Sequence, residues 1–329
     1  MACRQVIAAS GDTDMFRRFV VVMVLVSCAG LATGQETAEP ALTYHNMTVD
    51  GLERHYAVFV PDGAGGEALP VVVALHGRGG TGESMAGMTG LSTVAQEEGF
   101  IAVYPDGLNR EWKYFAGILP GAELNTPDDI AFLDALIDDL AGNFSIDASR
   151  VYLLGFSNGG FMAYRVACSA EHNRFAAYGI AAALIYPDME LPCLAAPVRA
   201  MVIEHGTADA GVAWDGISHR PTLETAVTSR NVLQSVSFFA GRNGCSTFGA
   251  DRVDLPSSDG KTHVSRFDFA ECTTGKPIRF FAVINGGHTW PGVDRLPRDL
   301  AGPVNMDINL GREMWEFLKT QTLTEPLIP

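Results

Sequence analysis

The junction around Ser157 limits the fold more than any other feature of the chain. Arg150-Val151-Tyr152-Leu153-Leu154 is an apolar run behind one arginine. Gly155-Phe156-Ser157-Asn158-Gly159-Gly160 follows without a spacer, and then Phe161-Met162-Ala163-Tyr164. A strand apolar along its whole length has to be covered on both faces. A helix entered directly from its end needs a sharp turn that brings backbone segments close together, which calls for the flanking glycines. The Gly-x-Ser-x-Gly pattern is weak by itself, because Gly and Ser are common. The strand before it and the helix after it make it strong against the competing reading, a serine in an ordinary strand-to-helix turn.

The rest of the chain repeats this strand-and-helix rhythm. His55–Val60 reads as a strand closed by Pro61-Asp62-Gly63, and Val71–Leu75 as a buried strand ending at His76-Gly77. Ser84–Glu98 reads as a helix stopped by Gly99, and Phe100–Tyr104 as a strand halted by Pro105-Asp106-Gly107. The clearest helix begins at Thr126-Pro127-Asp128-Asp129, with Thr126 as the expected cap. Its apolar positions Ile130, Leu133, Ile137, Leu140 and Phe144 step by three and four. Val151–Gly155 is a strand, Asn158–Ser169 a helix, Ala200–Glu204 and Arg279–Ile284 later strands, and Asp307–Thr320 a closing helix. This alternation predicts an α/β chain with a mostly parallel central sheet and helices on both faces. No repeat or low-complexity linker divides it, so residues 35–329 read as one catalytic domain.

Residues 1–34 read as a signal peptide with an N-terminal extension. Arg17 and Arg18 precede an apolar run from Phe19 to Val26, and the small residues Ser27, Cys28, Ala29 and Gly30 follow. The run is shorter than the ~18 residues of a membrane-spanning helix. Residues 1–14 add no signal character, so translation from Met15 would give the same signal. Leu25-Val26-Ser27-Cys28 resembles a bacterial lipobox with Cys28 as the lipidated residue, while Ala32-Thr33-Gly34 offers an ordinary cleavage site before Gln35. An exported protein is expected, either extracellular or lipid-anchored at the cell envelope through Cys28.

The 23 Lys+Arg against 38 Asp+Glu give a formal charge of −15, and loss of residues 1–34, with three Arg and two Asp, leaves −16. A nucleic-acid partner is excluded, because phosphate neutralisation requires a basic face. The remaining cysteines are Cys168, Cys193, Cys245 and Cys272, with no CxxC pair. In an oxidising compartment they favour disulfides over metal ligation. Three connectivities exist, and the sequence-local pairs 168–193 and 245–272 are the expectation.

A serine hydroxyl needs a base, and the base needs an orienting acid. The strand Ala200–Glu204 runs into His205-Gly206-Thr207-Ala208-Asp209, which places Asp209 in a loop at a strand's carboxyl end. The strand Arg279–Ile284 runs into Gly286-Gly287-His288-Thr289-Trp290-Pro291-Gly292, which does the same for His288. Open α/β sheets build their sites at such ends. Rival acids are Glu204, inside the strand, and Asp215, farther along the loop. His205 reads as a hydrogen-bonded loop residue. His219 and His263 lie in polar stretches, and Asp251, Asp254, Asp259 and Asp268 read as solvated surface charge. Oxyanion donors are expected from the amide of Asn158 and from His76-Gly77-Arg78-Gly79-Gly80, through the N–H of Arg78. That glycine cluster lacks the phosphate-loop pattern, so nucleotide binding is not expected.

Together Leu75-His76-Gly77, the Gly155–Gly160 motif, His205-Gly206-Thr207-Ala208-Asp209 and Gly287-His288-Thr289-Trp290-Pro291-Gly292 resemble the polyhydroxybutyrate depolymerase and feruloyl esterase family of α/β-hydrolases. The likeness runs from about His55 to Phe317, and Asn243-Gly244-Cys245 with Cys272 resembles that family's disulfide segment. It implies a secreted serine carboxylic-ester hydrolase with Ser157, Asp209 and His288 as a triad and without metal or cofactor. Arg78 stands where many relatives carry Cys, and Ala210 where Pro often follows the acid. Trp112, Trp214 and Trp290, with Tyr114 and Phe115, are candidates to line a cleft for a phenolic or polymeric ester, against the alternative that each packs in the core. Acyl transfer or peptide cleavage on the same triad is the runner-up activity. A binding protein on a hydrolase scaffold is the non-enzymatic alternative.

Overall fold

The computed structural model describes residues 40–115, 128–171, 174–219, 227–246, 250–294 and 301–323, apart from the side chains of 218, 219 and 227. Cys28, the Ala32-Thr33-Gly34 site, Thr126 and Pro127 lie outside them. Ten strands form one sheet: β1 Thr43–Val49, β2 Leu52–Phe59, β3 Leu69–Leu75, β4 Ile101–Pro105, β5 Ile146–Phe156, β6 Ala177–Ala181, β7 Ala200–Gly206, β8 Asp251–Asp254, β9 His263–Phe269 and β10 Ile278–Ile284. The helices are α1 Gly82–Thr89, α2 Leu91–Glu98, α3 Asp129–Asn143, α4 Asn158–Ala167, α5 Pro187–Ala195, α6 Val232–Arg242 and α7 Leu310–Leu318.

The strand order is β1-β2-β4-β3-β5-β6-β7-β10-β9-β8. From β4 to β10 the neighbours run parallel, and antiparallel pairs close both flanks. The parallel strands explain the apolar runs, because both of their faces are packed. Val71, Val73 and Leu75 of β3 join Leu133 and Phe161 in one core layer, while Val72 and Ala74 join Val94 and Phe100 in the other. Each fully buried Val or Leu contributes roughly 1.5–3 kcal/mol. The outermost strand β8 is exposed at every residue and carries Asp251, Arg252 and Asp254.

Several expected boundaries move. The Ser84–Glu98 helix is two helices, because Gly90 takes a left-handed conformation at φ 59° and its N–H closes α1 on Ala86 O. Thr81 and Ser84 form a capping box that starts α1 at Gly82. The cap of α3 is Asp128, whose carboxylate accepts from the amides of Ile130 and Ala131, and the helix therefore starts at Asp129. Ile130, Leu133, Ile137 and Leu140 face inward as their spacing demands. The closing helix is shorter than expected, with Asn309 as its cap, and α4 ends at Ala167. Among the described residues two disulfides link elements beside the core: Cys168–Cys193 joins the end of α4 to α5, and Cys245–Cys272 joins the segment after α6 to the turn after β9.

Candidate active site

Ser157 stands between β5 and α4 at φ 53° and ψ −117°, a backbone state that L-residues rarely adopt. Its N–H donates to Ala181 O at 2.9 Å, and its carbonyl accepts from Phe161 N at 2.9 Å. These bonds hold the strained turn in place. Gly159 is required here, because a Cβ at that position would lie 2.3 Å from Leu75 O.

The parallel neighbours β7 and β10 end beside this turn and bring in the other two groups. His288 Nε2 is 2.9 Å from Ser157 Oγ, and His288 Nδ1 is 2.8 Å from Asp209 Oδ2. A carboxylate only accepts, so the network places the imidazole proton on Nδ1 and leaves Nε2 to accept a hydrogen bond from the serine hydroxyl. Asp209 Oδ1 accepts from the amides of Gly211 and Val212 at 2.8 and 2.7 Å, and its side chain is fully buried. Gly211 also leaves room for the His288 ring, since a Cβ there would sit 2.9 Å from His288 Cγ.

Beneath this line lie two residues that do not join it. His205 belongs to β7, not to a loop. Its Nε2 donates to Val212 O at 2.8 Å and lies 3.6 Å from Asp209 Oδ2, so it ties down the acid-bearing loop. Burial pushes its pKa below the ordinary histidine value, which keeps it neutral. Glu204 is also buried within β7, and its Oε2 has no hydrogen-bond partner among the described residues. Burial first, and then the charge of Asp209, raises its carboxyl well above the ordinary value. Asp215 is exposed. Neither rival acid bonds to His288. His263 opens β9, and the His219 side chain lies outside the described residues. Of the aspartates expected on the surface, Asp251 and Asp254 are exposed, whereas Asp268 is half-buried between Arg266 and Arg279 at 2.8 and 2.5 Å.

On the opposite side, the loop after β3 carries Arg78, and α4 begins with Asn158. The N–H of Asn158 lies at the first position of a helix, where no intrahelical acceptor exists. The Arg78 side chain points outward and pairs with Glu111 at 2.8 Å. His76 is buried, with Nδ1 donating to Gly77 O at 2.7 Å and Nε2 accepting from Gly107 N at 2.9 Å. Burial depresses its pKa, consistent with a neutral ring making one donation and one acceptance.

Two of the tryptophans expected in a cleft belong to the interior instead. Trp112 is 1% exposed, stacks on Phe132 and donates Nε1–H to His76 O at 3.0 Å. Trp290, also 1% exposed, packs against Phe156. A proline-glycine turn after Trp290 and the clamp on Trp112 draw both rings inward. Trp214 is half-buried and lies edge-on to His205 at 6.1 Å. Tyr114 is buried against Phe161, and Phe115 is half-buried against Tyr186.

Sequence reasoning missed Gly107, Gly211 and the side chain of Asn158. The Asn158 carboxamide accepts from Trp112 N at 2.7 Å and donates to Trp112 O at 3.1 Å. Only its position beside Ser157 marked it in the sequence, and that spoke for its backbone alone.

This geometry has relatives. The family model described as esterase PHB depolymerase matches residues 54–213. NocK of Nocardia uniformis subsp. tsuyamanensis, named as an esterase, is 31% identical over 267 residues, covering 78% of this chain and 76% of its own. Feruloyl esterase C of Emericella nidulans is 29% identical over 259 residues, covering 76% of this chain and 81% of its own. Among solved structures, acetyl xylan esterase from Aspergillus awamori superposes with a TM-score of 0.54 at 15% identity over 84% of this chain and 99% of that one, a likeness of fold. An α/β-hydrolase sheet, a strained serine at its centre and relatives of this extent lead to one conclusion: the chain belongs to the esterase PHB depolymerase family and is a carboxylic-ester hydrolase resembling the feruloyl esterases.

Proposed function

We propose that Ser157 is the nucleophile of an acyl-enzyme mechanism, with His288 as base and acid, Asp209 as the orienting carboxylate, and the N–H groups of Arg78 and Asn158 as oxyanion donors. The observation that carries this reading is the unbroken line from Ser157 Oγ through His288 to the buried Asp209 carboxylate, at 2.9 and 2.8 Å. Oγ attacks the ester carbonyl carbon while its proton passes to His288 Nε2, and the carbonyl electron pair moves onto the oxygen held by the two amides. Collapse breaks the bond to the alcohol, which leaves with the proton from Nε2. Water then gives its proton to His288, attacks the acyl carbon and releases the acid and the serine. Asp209 holds the imidazole tautomer and stabilises imidazolium throughout. The scheme uses no metal and no organic cofactor.

The proposed substrates are soluble or oligomeric esters of phenolic or hydroxy acids, in keeping with the feruloyl esterases among the relatives. Trp214, beside the Asp209 loop, and Phe115 are the aromatics left to meet them. We assign residues 1–34 to export and 35–329 to one mature catalytic domain, a reading that the two disulfides support. Among the described residues no helix is long and apolar enough to cross a membrane. The intact mass distinguishes a diacylated Cys28 from a free Gln35.

Fluorophosphonate labelling followed by peptide mapping tests the nucleophile. Modification is expected on Ser157 alone, and Ser157→Ala should abolish both labelling and ester hydrolysis. Label on another residue, or equal hydrolysis by wild type and variant, would overturn the assignment. Feruloyl esters, hydroxybutyrate oligomers, nitrophenyl esters and peptides, assayed side by side, rank the acyl group; hydrolysis of peptides alone would sink the ester reading.

A further inference from the structure

We propose that the side chain of Asn158 is a positioning residue that aims the oxyanion donor on the opposite loop, a role separate from that of its own backbone N–H. The inference rests on the proposed reading of Ser157 as nucleophile and of Arg78 N–H as a donor. Asn158 is 4% exposed, so its carboxamide must find partners within the protein. It places both ends on the backbone of one residue, accepting from Trp112 N at 2.7 Å and donating to Trp112 O at 3.1 Å. Two contacts to one residue fix both its distance and its tilt relative to the Ser157 turn, which a single bond would not do.

Trp112 passes that position on. Its indole Nε1–H reaches His76 O at 3.0 Å. The His76 ring turns back with Nδ1–H to Gly77 O at 2.7 Å, and Gly80 N donates to the same oxygen at 3.0 Å. Gly77 C=O and Arg78 N–H are the two ends of one peptide plane. In a trans peptide they point in opposite directions, and the chain contains no cis bond among the described residues. Two donors pinning the oxygen therefore aim the Arg78 N–H away from them. Asn158 thus sets both halves of the oxyanion hole, one through its backbone and the other through Trp112 and His76.

Any substitution at 158 other than proline keeps the backbone donor, so the side chain can be removed separately. Asn158→Ala should lower kcat on a short-chain nitrophenyl ester by about 10- to 100-fold with KM within about threefold, since a misaimed donor fails mainly where the oxyanion forms. Affinity for a boronic acid that mimics the tetrahedral state should fall in step with kcat/KM, while fluorophosphonate still labels Ser157. Trp112→Phe keeps the ring and removes the indole N–H. It should give a smaller loss of the same kind, and it provides the test if Asn158→Ala does not fold. The double variant should lose little more than Asn158→Ala alone, because both act on one path.

A folded variant with unchanged kcat, a loss entirely in KM, or losses that multiply in the double variant would overturn the proposal. If wild type shows no label on Ser157, the nucleophile reading fails instead, and that result is distinct from each of these.

Discussion

On one side of Ser157, the loops after β7 and β10 meet through side chains. Asp209, His288 and the serine hydroxyl touch one another directly, and His205 fastens the acid loop from below. On the other side, the loops after β3 and β4 meet through bonds that each have a backbone group on at least one end. Gly79 N donates to Arg110 O, Gly107 N to His76 Nε2, and Trp112 Nε1 to His76 O. On the proposed mechanism the first flank moves a proton and concentrates its function in a few atoms. The second would hold two N–H groups still and spreads that task over many bonds. The contrast predicts abrupt failure on one side and graded failure on the other.

The largest effect belongs to the proton-moving flank. His288→Ala should reduce kcat by about 10⁴- to 10⁶-fold, and Asp209→Asn by about 10³- to 10⁴-fold, with substrate binding nearly intact. Steady-state kinetics on a nitrophenyl ester measures both, and a loss under tenfold for either would erase the distinction between the flanks. On the backbone flank, His76→Leu removes the donor to Gly77 and the acceptor for Gly107 together. A drop of about 10²-fold in kcat is expected, with about 1–3 kcal/mol of stability lost through the orphaned Gly107 N–H. A complete loss of activity in a folded variant would make the two sides equally brittle.

The disulfides lie outside both flanks and should affect stability alone. Replacing Cys168 and Cys193 together by Ser opens a loop with a sequence separation of 25. It should cost about 3 kcal/mol in urea unfolding and leave kcat at 25 °C unchanged. A lowered kcat would show that the end of α4 is coupled to the serine turn.

The smallest effect, counted per pH unit, comes from Glu204, whose folded carboxyl titrates above the ordinary value of 4.5 because it is buried and faces Asp209. The folded state therefore binds a proton that the unfolded state has released, and stability falls as pH rises from about 4.5 toward the folded value. Glu204→Gln removes that term, so its stability relative to wild type should improve with rising pH, at most by about 1.4 kcal/mol per pH unit. A pH-independent difference in urea midpoints would mean that Glu204 is ionised in the folded protein.

The two flanks were unequally legible from sequence. The placement of Asp209 and His288 beside Ser157 could be read because each follows a run of buried-strand residues and sits in its own short motif. The brace around His76 could not, because its partners Gly107, Trp112 and Asn158 are distant in sequence and each contact has a backbone group at one end, which no side-chain pattern marks. Trp112 and Trp290 were expected in a cleft and lie in the core, since an aromatic near a motif looks alike in either place. The central strand β6, Ala177-Tyr178-Gly179-Ile180-Ala181, lacks the β-branched density that marked its neighbours. Its strand character comes from packing between β5 and β7. The break at Gly90 was hidden because the helical spacing continues across it.

An open sheet also has rims. Among the described residues no strand pairs with the outer edge of β8, a strand of four exposed residues, and charges of both signs occupy three of them. Another copy docking there would have to strip water from Asp251, Arg252 and Asp254 before gaining a single interstrand bond. Charge at this rim thus protects the fold from its own geometry, keeping a half-finished β-ladder from becoming a template for fibres.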